Sequence, residues 1–333
     1  MIRALMAGVA AALSFSMFAA PADAQTKQVL RLSSFVQADS SWNKAQDAFK
    51  KHLEELSKGA IELQIYNNNT LGSNREVLEM ARLGTVDFVM AGVTHSSRFV
   101  PQVNAIVFPY LWKDRATLKA ALDGPVTEYL DKLYGEKGFK IAAWWDNGFR
   151  HVSNTKRPIT SVSDFRGLKL RTLPAKIHVE FFRAVGASPT PMDWAEVLPA
   201  LRQGTIDGQE NPAVLVHAFR VYEVQKFYSL TAHVNEPLIL LMSKPVHDKL
   251  SPALRTAVMD AARQATELQW KLNAEDDVNV LTQLRATPMA VNEVPEATKA
   301  ELRKLAATIY PKAVDELGAG GKEFIEMLVK LNQ

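Results

Sequence analysis

Short apolar stretches, separated by segments with helical spacing, run through the first half of the chain. The predicted strands are residues 29–32, 61–66, 86–90 and 139–145. Between the first two strands, apolar side chains recur every three or four residues, at Ala45, Phe49, Leu53 and Leu56. A second helix is predicted over 75–83 and ends at Gly84. This β-α-β-α-β order favours a parallel sheet covered by helices.

The same alternation restarts in the second half. The predicted elements there are strands at 168–171 and 205–208, helices at 176–185 and around 197–201, and a Pro- and Ser-containing loop at 186–191. Beyond Pro252, apolar residues keep helical spacing to about residue 284, with no Gly or Pro inside the segment. That spacing predicts one long amphipathic helix.

Two α/β units in series predict an α/β protein with two lobes, because a chain of roughly 300 residues is long for a single core. No low-complexity linker separates the two units. We therefore expect several chain crossings between the lobes instead of a flexible tether. The predicted long helix has the length to lie across both lobes.

The first residues have the pattern of a secretory signal. Arg3 supplies a positive charge, residues 4–20 carry no charge, and the small-x-small sequence ADA follows at 22–24. The apolar run is too short for a membrane span, and the polar residues 25–27 argue against a buried helix. We therefore expect residues 1–24 to be a signal peptide that directs export to the periplasm.

Composition excludes several classes of function. The chain has no cysteine, which rules out disulfides, thiolate metal ligands, thiol nucleophiles and a lipid-attachment cysteine. The formal net charge of +3 is too small for a protein that tracks nucleic acid. A hydrophobic content of 47% and a charged content of 23% are typical of an ordinary globular protein. We expect a freely soluble protein that uses no cofactor.

Three segments place polar side chains where predicted strands end. They are WWDNGFR at 144–150, GLKLR at 167–171 and DGQENP at 207–212. Ligands of open α/β sheets bind beyond the carboxyl ends of the strands. An Arg there matches a carboxylate with two bonds, and an Asn can donate to the same group without adding charge. Trp194 could supply an apolar wall.

Each of these residues also has an ordinary structural explanation. Most of the 39 Lys and Arg are surface groups, and an Arg after a strand is usually one of them. Trp144 and Trp145 are adjacent on a strand and point to opposite faces, which places at least one of them in the core. Glu210 suits a helix cap equally well. Spacing alone therefore does not gather these residues into one site.

Five motifs occur in a fixed order along the chain. They are LG at 71–72 with Arg75, GLKLR at 167–171, GASPTPM at 186–192, DGQENP at 207–212 and YEVQKFY at 222–228. Together they resemble the DctP-type solute-binding subunits of TRAP (tripartite ATP-independent periplasmic) transporters, over essentially the whole chain after the signal. The resemblance implies a two-lobe periplasmic-binding-protein-like fold, in which a cleft between the lobes closes on a small organic acid.

The resemblance also implies roles for individual residues. Arg171 pairs with the ligand carboxylate, Arg150 makes a second polar contact, Asn211 completes the clamp and Trp194 lines the pocket. Further expected pocket residues are Asn147, Asn74, Glu236, His95 and Trp145. No catalytic residue and no metal ligand is expected.

Two positions depart from the sialic-acid-binding members, which the middle third of the chain resembles especially. Asn74 stands where an Asp is expected, and Gly92 where a Glu is expected. The loss of these acidic side chains disfavours sialic acid and favours a smaller or less hydroxylated acid. The sequence leaves open whether the acid is aromatic, aliphatic, dicarboxylic or a hydroxy, keto or sugar acid, and whether a metal ion assists its binding.

We expect the chain to divide into lobe I, residues 25–147 and 236–276, and lobe II, residues 148–235 and 277–333. The expected partners are the acid and the small and large integral membrane subunits of a TRAP transporter, with no nucleic acid and a monomeric chain. The alternative is a periplasmic enzyme that acts on a carboxylic acid. We find no Gly-x-Ser-x-Gly elbow, P-loop or His pair four residues apart. The GAGGK sequence at 318–322 predicts a helix break.

Overall fold

The computed structural model describes residues 27–36 and 40–332, so the predicted signal peptide, residues 1–24, lies outside the described residues. The described residues form eleven strands and twelve α-helices. The strands are β1 (Gln28–Ser34), β2 (Ile61–Tyr66), β3 (Phe88–Gly92), β4 (Phe139–Trp145), β5 (Phe149–Asn154), β6 (Lys169–Thr172), β7 (Ser188–Pro191), β8 (Gly208–Asn211), β9 (Phe227–Asn235), β10 (Leu238–Ser243) and β11 (Ala290–Glu293). The helices are α1 (Ser41–Leu56), α2 (Asn74–Arg82), α3 (Val93–Ser96), α4 (Arg115–Leu122), α5 (Pro125–Glu136), α6 (Lys176–Ala184), α7 (Trp194–Gln203), α8 (Ala213–Ala218), α9 (Lys244–Lys249), α10 (Pro252–Arg285), α11 (Glu296–Val314) and α12 (Gly321–Leu331). None of these helices combines the length and the apolar character that crossing a bilayer requires.

The strands form two sheets, each the centre of one lobe. The five-stranded sheet has the order β2-β1-β3-β10-β4, and β1 pairs in parallel with both β2 and β3, as predicted. β10 lies antiparallel between β3 and β4. The six-stranded sheet has the order β11-β9-β5-β8-β6-β7. Helices α1 and α5 pack on the first sheet, and α6 packs on the second.

The chain passes from the first sheet to the second at residues 146–148 and returns at residues 236–237. The buried Asp146 carboxylate joins these two crossings, because its Oδ1 accepts a hydrogen bond from Asn235 Nδ2 at 3.3 Å. Its Oδ2 accepts from Asn273 Nδ2 of α10 at 2.8 Å. One buried acid therefore fixes these two crossings to α10, through which the chain passes to the second sheet again, at β11.

The long helix α10 spans 34 residues without a break, as the spacing predicts. It packs on α1 and β4 of the first lobe and on α8 and β11 of the second. Its buried stripe is apolar around Val258 and Ala265 and becomes polar at Gln269 and Asn273. The change falls beside Asp146, whose backbone N–H and carbonyl both bond to the Gln269 side chain at 2.7 Å.

The predicted division into lobes stays a prediction. The two crossings lie close to the predicted boundaries at 147 and 236, whereas α10 runs through residue 276 uninterrupted. The C-terminal helix α12, which the prediction assigns to lobe II, packs on α5 of the first lobe. There, Phe324 stacks on Tyr129 with ring centroids 4.4 Å apart. The last helix thus contacts the lobe opposite to the one assigned to it.

Several strands differ from the sequence prediction. The loop predicted at 186–191 contains the edge strand β7, and an edge position tolerates its prolines because the missing N–H would face outward. The strand predicted at 205–208 is β8, three residues later, so the GQEN sequence forms the strand itself. β5, β9, β10 and β11 were not predicted. The LILLMS sequence of β10 is buried throughout and shows no alternation that would mark a strand.

Two other predictions about local structure are confirmed. Trp144 and Trp145 are both buried, and they belong to two different hydrophobic clusters on opposite faces of β4. The glycine-rich sequence at 318–322 separates α11 and a short 3₁₀ turn, Asp315–Leu317, from α12.

Candidate ligand-binding site

Neighbouring strands of the six-stranded sheet bring charged side chains together in its interior. Arg150 lies on β5, Arg171 on β6, and Glu210 on β8 between them. All three are buried to 1% exposure or less. Gly208 permits this close spacing, since a Cβ there would lie 2.1 Å from the Ser153 carbonyl oxygen of β5. The glycine of the DGQENP sequence is therefore required by the approach of two strands.

Arg150 is fully occupied by protein acids. Its Nε and Nη2 bind the two carboxylate oxygens of Glu210 at 2.5 and 2.8 Å, and Nη1 lies 3.2 Å from Glu236 Oε2. Burial acts to lower the pKa of Arg150, but Glu210 outweighs it and the pKa is raised. A guanidinium held by two carboxylates is a fixed part of the sheet and has few donors left for a ligand.

Arg171 is much less well compensated. Its Nε donates to the Met192 carbonyl at 2.9 Å, and its Nη1 comes no closer than 3.9 Å to Glu210. Among the described residues, neither Nη atom has a hydrogen-bond acceptor. Burial lowers the pKa of Arg171 to about 10, with Glu210 opposing and Arg150 adding to the effect. A buried guanidinium with unused donors is suited to an additional anion.

The acid between the two arginines is held ionised. Burial alone would raise the pKa of Glu210, but Arg150 and a hydrogen bond from His233 outweigh it and lower the pKa well below its usual range. His233 Nε2 lies 3.2 Å from Glu210 Oε2. Burial lowers the pKa of His233, so the imidazole is neutral and donates its proton to the carboxylate. Glu210 therefore carries a full negative charge at neutral pH.

A cavity of about 350 Å³ lies against these side chains. Eight of the nine predicted pocket residues line it: Arg171, Arg150, Asn211, Trp194, Asn147, Asn74, Glu236 and His95. They come from both lobes, since Asn74 begins α2 and His95 lies on α3, whereas Asn211 ends β8. Asn74 is positioned by a capping box in which Ser73 and Glu76 bond reciprocally.

The ninth predicted residue, Trp145, does not line this cavity. Its side chain is fully buried and packs in a hydrophobic cluster that contains residues of both lobes. Its position follows from the pleat of β4, since side chains of adjacent residues project to opposite faces. Trp144 and Trp145 therefore both pack in the hydrophobic core.

Sequence reasoning missed two groups of residues at this site. Glu210 was considered as a helix cap, but it is the shared counterion of Arg150 and Arg171, and His233 was not considered at all. The apolar part of the wall was missed too, and it consists of Phe35, Leu173, Leu215 and Leu238. Phe35 and Leu173 follow directly after strands β1 and β6, so the strand-end rule could have found them.

Two polar side chains in the cavity wall lack partners. The Oδ1 atom of Asn147 is buried, and no described residue offers it a hydrogen bond. Neither ring nitrogen of His95 has an aligned hydrogen bond among the described residues, although Nε2 lies 3.3 Å from Asp193 Oδ1. Buried polar groups are normally satisfied, so the Asn147 oxygen is available to a molecule bound in the cavity. Among the described residues, no cluster of three or more His, Asp or Glu is arranged to hold a metal ion.

Comparison with known proteins decides the family. Residues 32–317 match the family described as bacterial extracellular solute-binding protein, family 7, or DctP. The chain belongs to the DctP family. This membership confirms the resemblance read from the five motifs. Proteins of this family are periplasmic solute-binding proteins that work with TRAP transporters.

The chain is similar to several DctP-family relatives over most of their length. It is 38% identical to a solute-binding protein of Verminephrobacter eiseniae over 270 residues, which cover 81% of each chain. It is 34% identical to the 2,3-diketo-L-gulonate-binding periplasmic protein YiaO of Escherichia coli over 264 residues, covering 79% of this chain and 80% of that one.

A solved relative confirms the predicted fold. A TRAP periplasmic solute-binding protein from Polaromonas sp. JS666, bound to D-erythronate, superposes with a TM-score of 0.86 at 35% identity. The match covers 91% of this chain and 98% of that one. The two-lobe α/β fold of a periplasmic binding protein, with a cleft between the lobes, is therefore established for this chain.

Proposed function

We propose that this DctP-family protein captures a small hydroxylated organic acid by its carboxylate, at Arg171, and delivers it to the membrane subunits of a TRAP transporter. One observation carries the proposal: Arg171 is buried beside the cavity with unused guanidinium donors, whereas Arg150 is saturated by Glu210 and Glu236. A ligand carboxylate would supply the acceptors that Arg171 lacks.

The mechanism we propose is closure of the two lobes around the acid. Arg171 and Asn211 belong to the six-stranded lobe, and Asn74 and His95 to the five-stranded lobe. The acid first pairs with Arg171 in the open cleft, and closure then removes water from the ion pair. Desolvation makes the pair selective, because a molecule without the carboxylate would leave a buried charge without a partner.

The cavity chemistry supports a hydroxylated acid over a purely aliphatic or aromatic one. Asn147 Oδ1 is a buried acceptor without a donor, which a ligand hydroxyl would satisfy. Trp194 and Leu238 supply apolar surface for the carbon skeleton. The relatives that bind D-erythronate and 2,3-diketo-L-gulonate have ligands of this class.

The remaining parts of the proposal concern location, partners and chemistry. We propose that residues 1–24 direct export and are removed, that the periplasmic chain is monomeric, and that the small and large membrane subunits accept the acid from it. We further propose that the chain releases its ligand chemically unchanged. Incubation of the protein with an excess of D-erythronate, followed by NMR of the recovered acid, tests this point, and a new product would favour the enzyme alternative.

The carboxylate site is tested by replacing Arg171 with Ala. The variant leaves Glu210 partly uncompensated and removes the donors for the acid, so we expect affinity to fall by about a hundredfold or more, equivalent to about 2.7 kcal/mol. Lys169→Ala is the matched control, since it removes one positive charge from the same strand but its side chain is exposed. A thermal-shift screen of organic acids identifies the ligand, and calorimetry measures its affinity. Near-native affinity of Arg171→Ala would contradict the proposal.

A further inference from the structure

The cavity is separated from a second, outer space by a thin wall. The outer groove has about 990 Å³ of empty space and is lined from the five-stranded lobe by Arg75, His95 and Arg98. Pro174, Met192 and Asp193 line it from the six-stranded lobe. His95 borders both the groove and the inner cavity. The His95 side chain therefore forms part of the boundary between the cavity and the groove.

His95 is met across the cleft by Asp193. His95 Nε2 lies 3.3 Å from Asp193 Oδ1, within ion-pair range although the angle is not that of an aligned hydrogen bond. His95 belongs to α3 of one lobe, and Asp193 precedes α7 of the other. The His95 side chain is 10% exposed and that of Asp193 is 37% exposed, so the contact lies where the cleft opens to solvent.

The Asp193 side chain does not cap helix α7, although the residue occupies the N-cap position. Asp193 is the N-cap residue of α7, yet its carboxylate accepts no hydrogen bond from the first turn of the helix. An N-cap Asp normally accepts such a bond, which stabilises the helix by about 1 kcal/mol. The carboxylate instead points to His95, and this contact with His95 is the largest cause of the lowered pKa of Asp193. Asp193 is therefore ionised while it faces the opposite lobe.

The neighbours of Asp193 connect it to the ligand anchor. The carbonyl of Met192 accepts the hydrogen bond from Arg171 Nε at 2.9 Å. On the other side, Trp194 forms part of the cavity wall. The segment that carries Asp193 is thus fixed to the same guanidinium that we propose to hold the acid, and it moves with that lobe.

We infer that Asp193 is a positioning residue, which pairs with His95 across the cleft and holds the cavity wall closed over the bound acid. The inference rests on the proposed function, since it concerns how long the acid stays bound. The pair forms only when the lobes meet, so it adds nothing to the encounter of the acid with the open cleft. Its effect falls on the dissociation rate constant.

The experiment compares Asp193→Asn with Glu196→Gln. Both variants remove one negative charge near the start of α7, but Glu196 is exposed and makes no contact with His95. Asn is also a good N-cap residue, so the helix start is preserved. Stopped-flow binding is measured with D-erythronate, galactonate, D-glucuronate and succinate, and the tightest of these is used for the variants.

We expect Asp193→Asn to raise the dissociation rate constant about fivefold, which corresponds to about 1 kcal/mol, with an unchanged association rate constant. Glu196→Gln should change neither constant. In a double-mutant cycle, Asp193→Asn should have no further effect once His95→Gln is present. A merely structural role of Asp193 would give additive effects and would also lower the melting temperature.

Two failures are distinguishable. If the wild-type chain binds none of the four acids, the proposed function is overturned and this inference with it. If the wild type binds an acid and Asp193→Asn dissociates at the same rate as Glu196→Gln, the inference alone is overturned.

Discussion

Replacing Glu210 with Gln tests whether the buried acid is the counterion that keeps the two arginines in the core. The substitution conserves size, so it opens no cavity, and it removes only the negative charge. Glu210 is 0% exposed and bonds to Arg150 at 2.5 and 2.8 Å. In the variant, the Glu236 carboxylate remains, 3.2 Å from Arg150.

The size of the effect follows from burial. Breaking a buried ion pair by removing one partner costs about 3–5 kcal/mol, because the remaining charge is left without compensation. Unfolding entropy of about 2.1 cal/mol/K per residue, over roughly 300 residues, amounts to about 0.6 kcal/mol per degree. We therefore expect the melting temperature of the ligand-free protein to fall by about 5–8 °C.

Differential scanning calorimetry without ligand measures the shift. Glu223→Gln is the matched control, since Glu223 also pairs with an arginine, Arg220, at 2.7 Å, but both side chains are well exposed. Exposed pairs contribute about 0–1 kcal/mol, so the control should melt within about 2 °C of the wild type. If Glu210→Gln melts at the same temperature as Glu223→Gln, the electrostatic account of the core is wrong.

Two further predictions concern stability. Gly208→Ala should prevent correct folding, measured as loss of soluble protein, whereas Gly167→Ala should cost only about 1 kcal/mol because its Cβ meets nothing within 4 Å despite a φ of +74°. Stability should also fall on acidification, because burial lowers the pKa of His178 to about 4 and of His151 to about 3. Below the ordinary histidine pKa of about 6.5, the unfolded chain therefore binds protons that the folded chain excludes. Burial raises the pKa of Asp277 to about 6, which opposes this trend below pH 6. Urea unfolding should therefore give about 2–3 kcal/mol less stability at pH 5 than at pH 7.5, and equal stability at both would contradict the argument.

The sequence pattern predicted the strands and helices that bury one face and expose the other. Residues 61–66 alternate apolar and polar positions, and β2 has these same bounds. The long helix α10 keeps one stripe of buried residues over most of its length. β10 has no exposed face, because β3 and β4 flank it and both its surfaces are covered, so its sequence carries no periodicity. β10 was missed for this reason.

The site was predictable in its polar part and not in its apolar part. Arg150, Arg171 and Asn211 were identified because they lie in motifs that resemble the family pattern, whereas their spacing alone did not distinguish them from surface groups. Leu215 and Leu238 line the cavity with side chains that differ in no way from core leucines. Which leucines face a cavity depends on the packing of both lobes, and no local pattern records it.

Under the proposed function, the different surroundings of the two arginines explain why the site needs no ligand for its stability and can still bind an anion. Arg150 and Arg171 together face Glu210 and Glu236, so the unliganded cluster is balanced in charge. The contacts are unevenly distributed, because both Glu210 and Glu236 bond to Arg150. Arg171 comes no closer than 3.9 Å to Glu210. An incoming carboxylate can therefore take the free donors of Arg171 without displacing Glu210 from Arg150. If the two acids were shared equally, binding would require breaking an existing pair, and the gain from the new one would be largely cancelled.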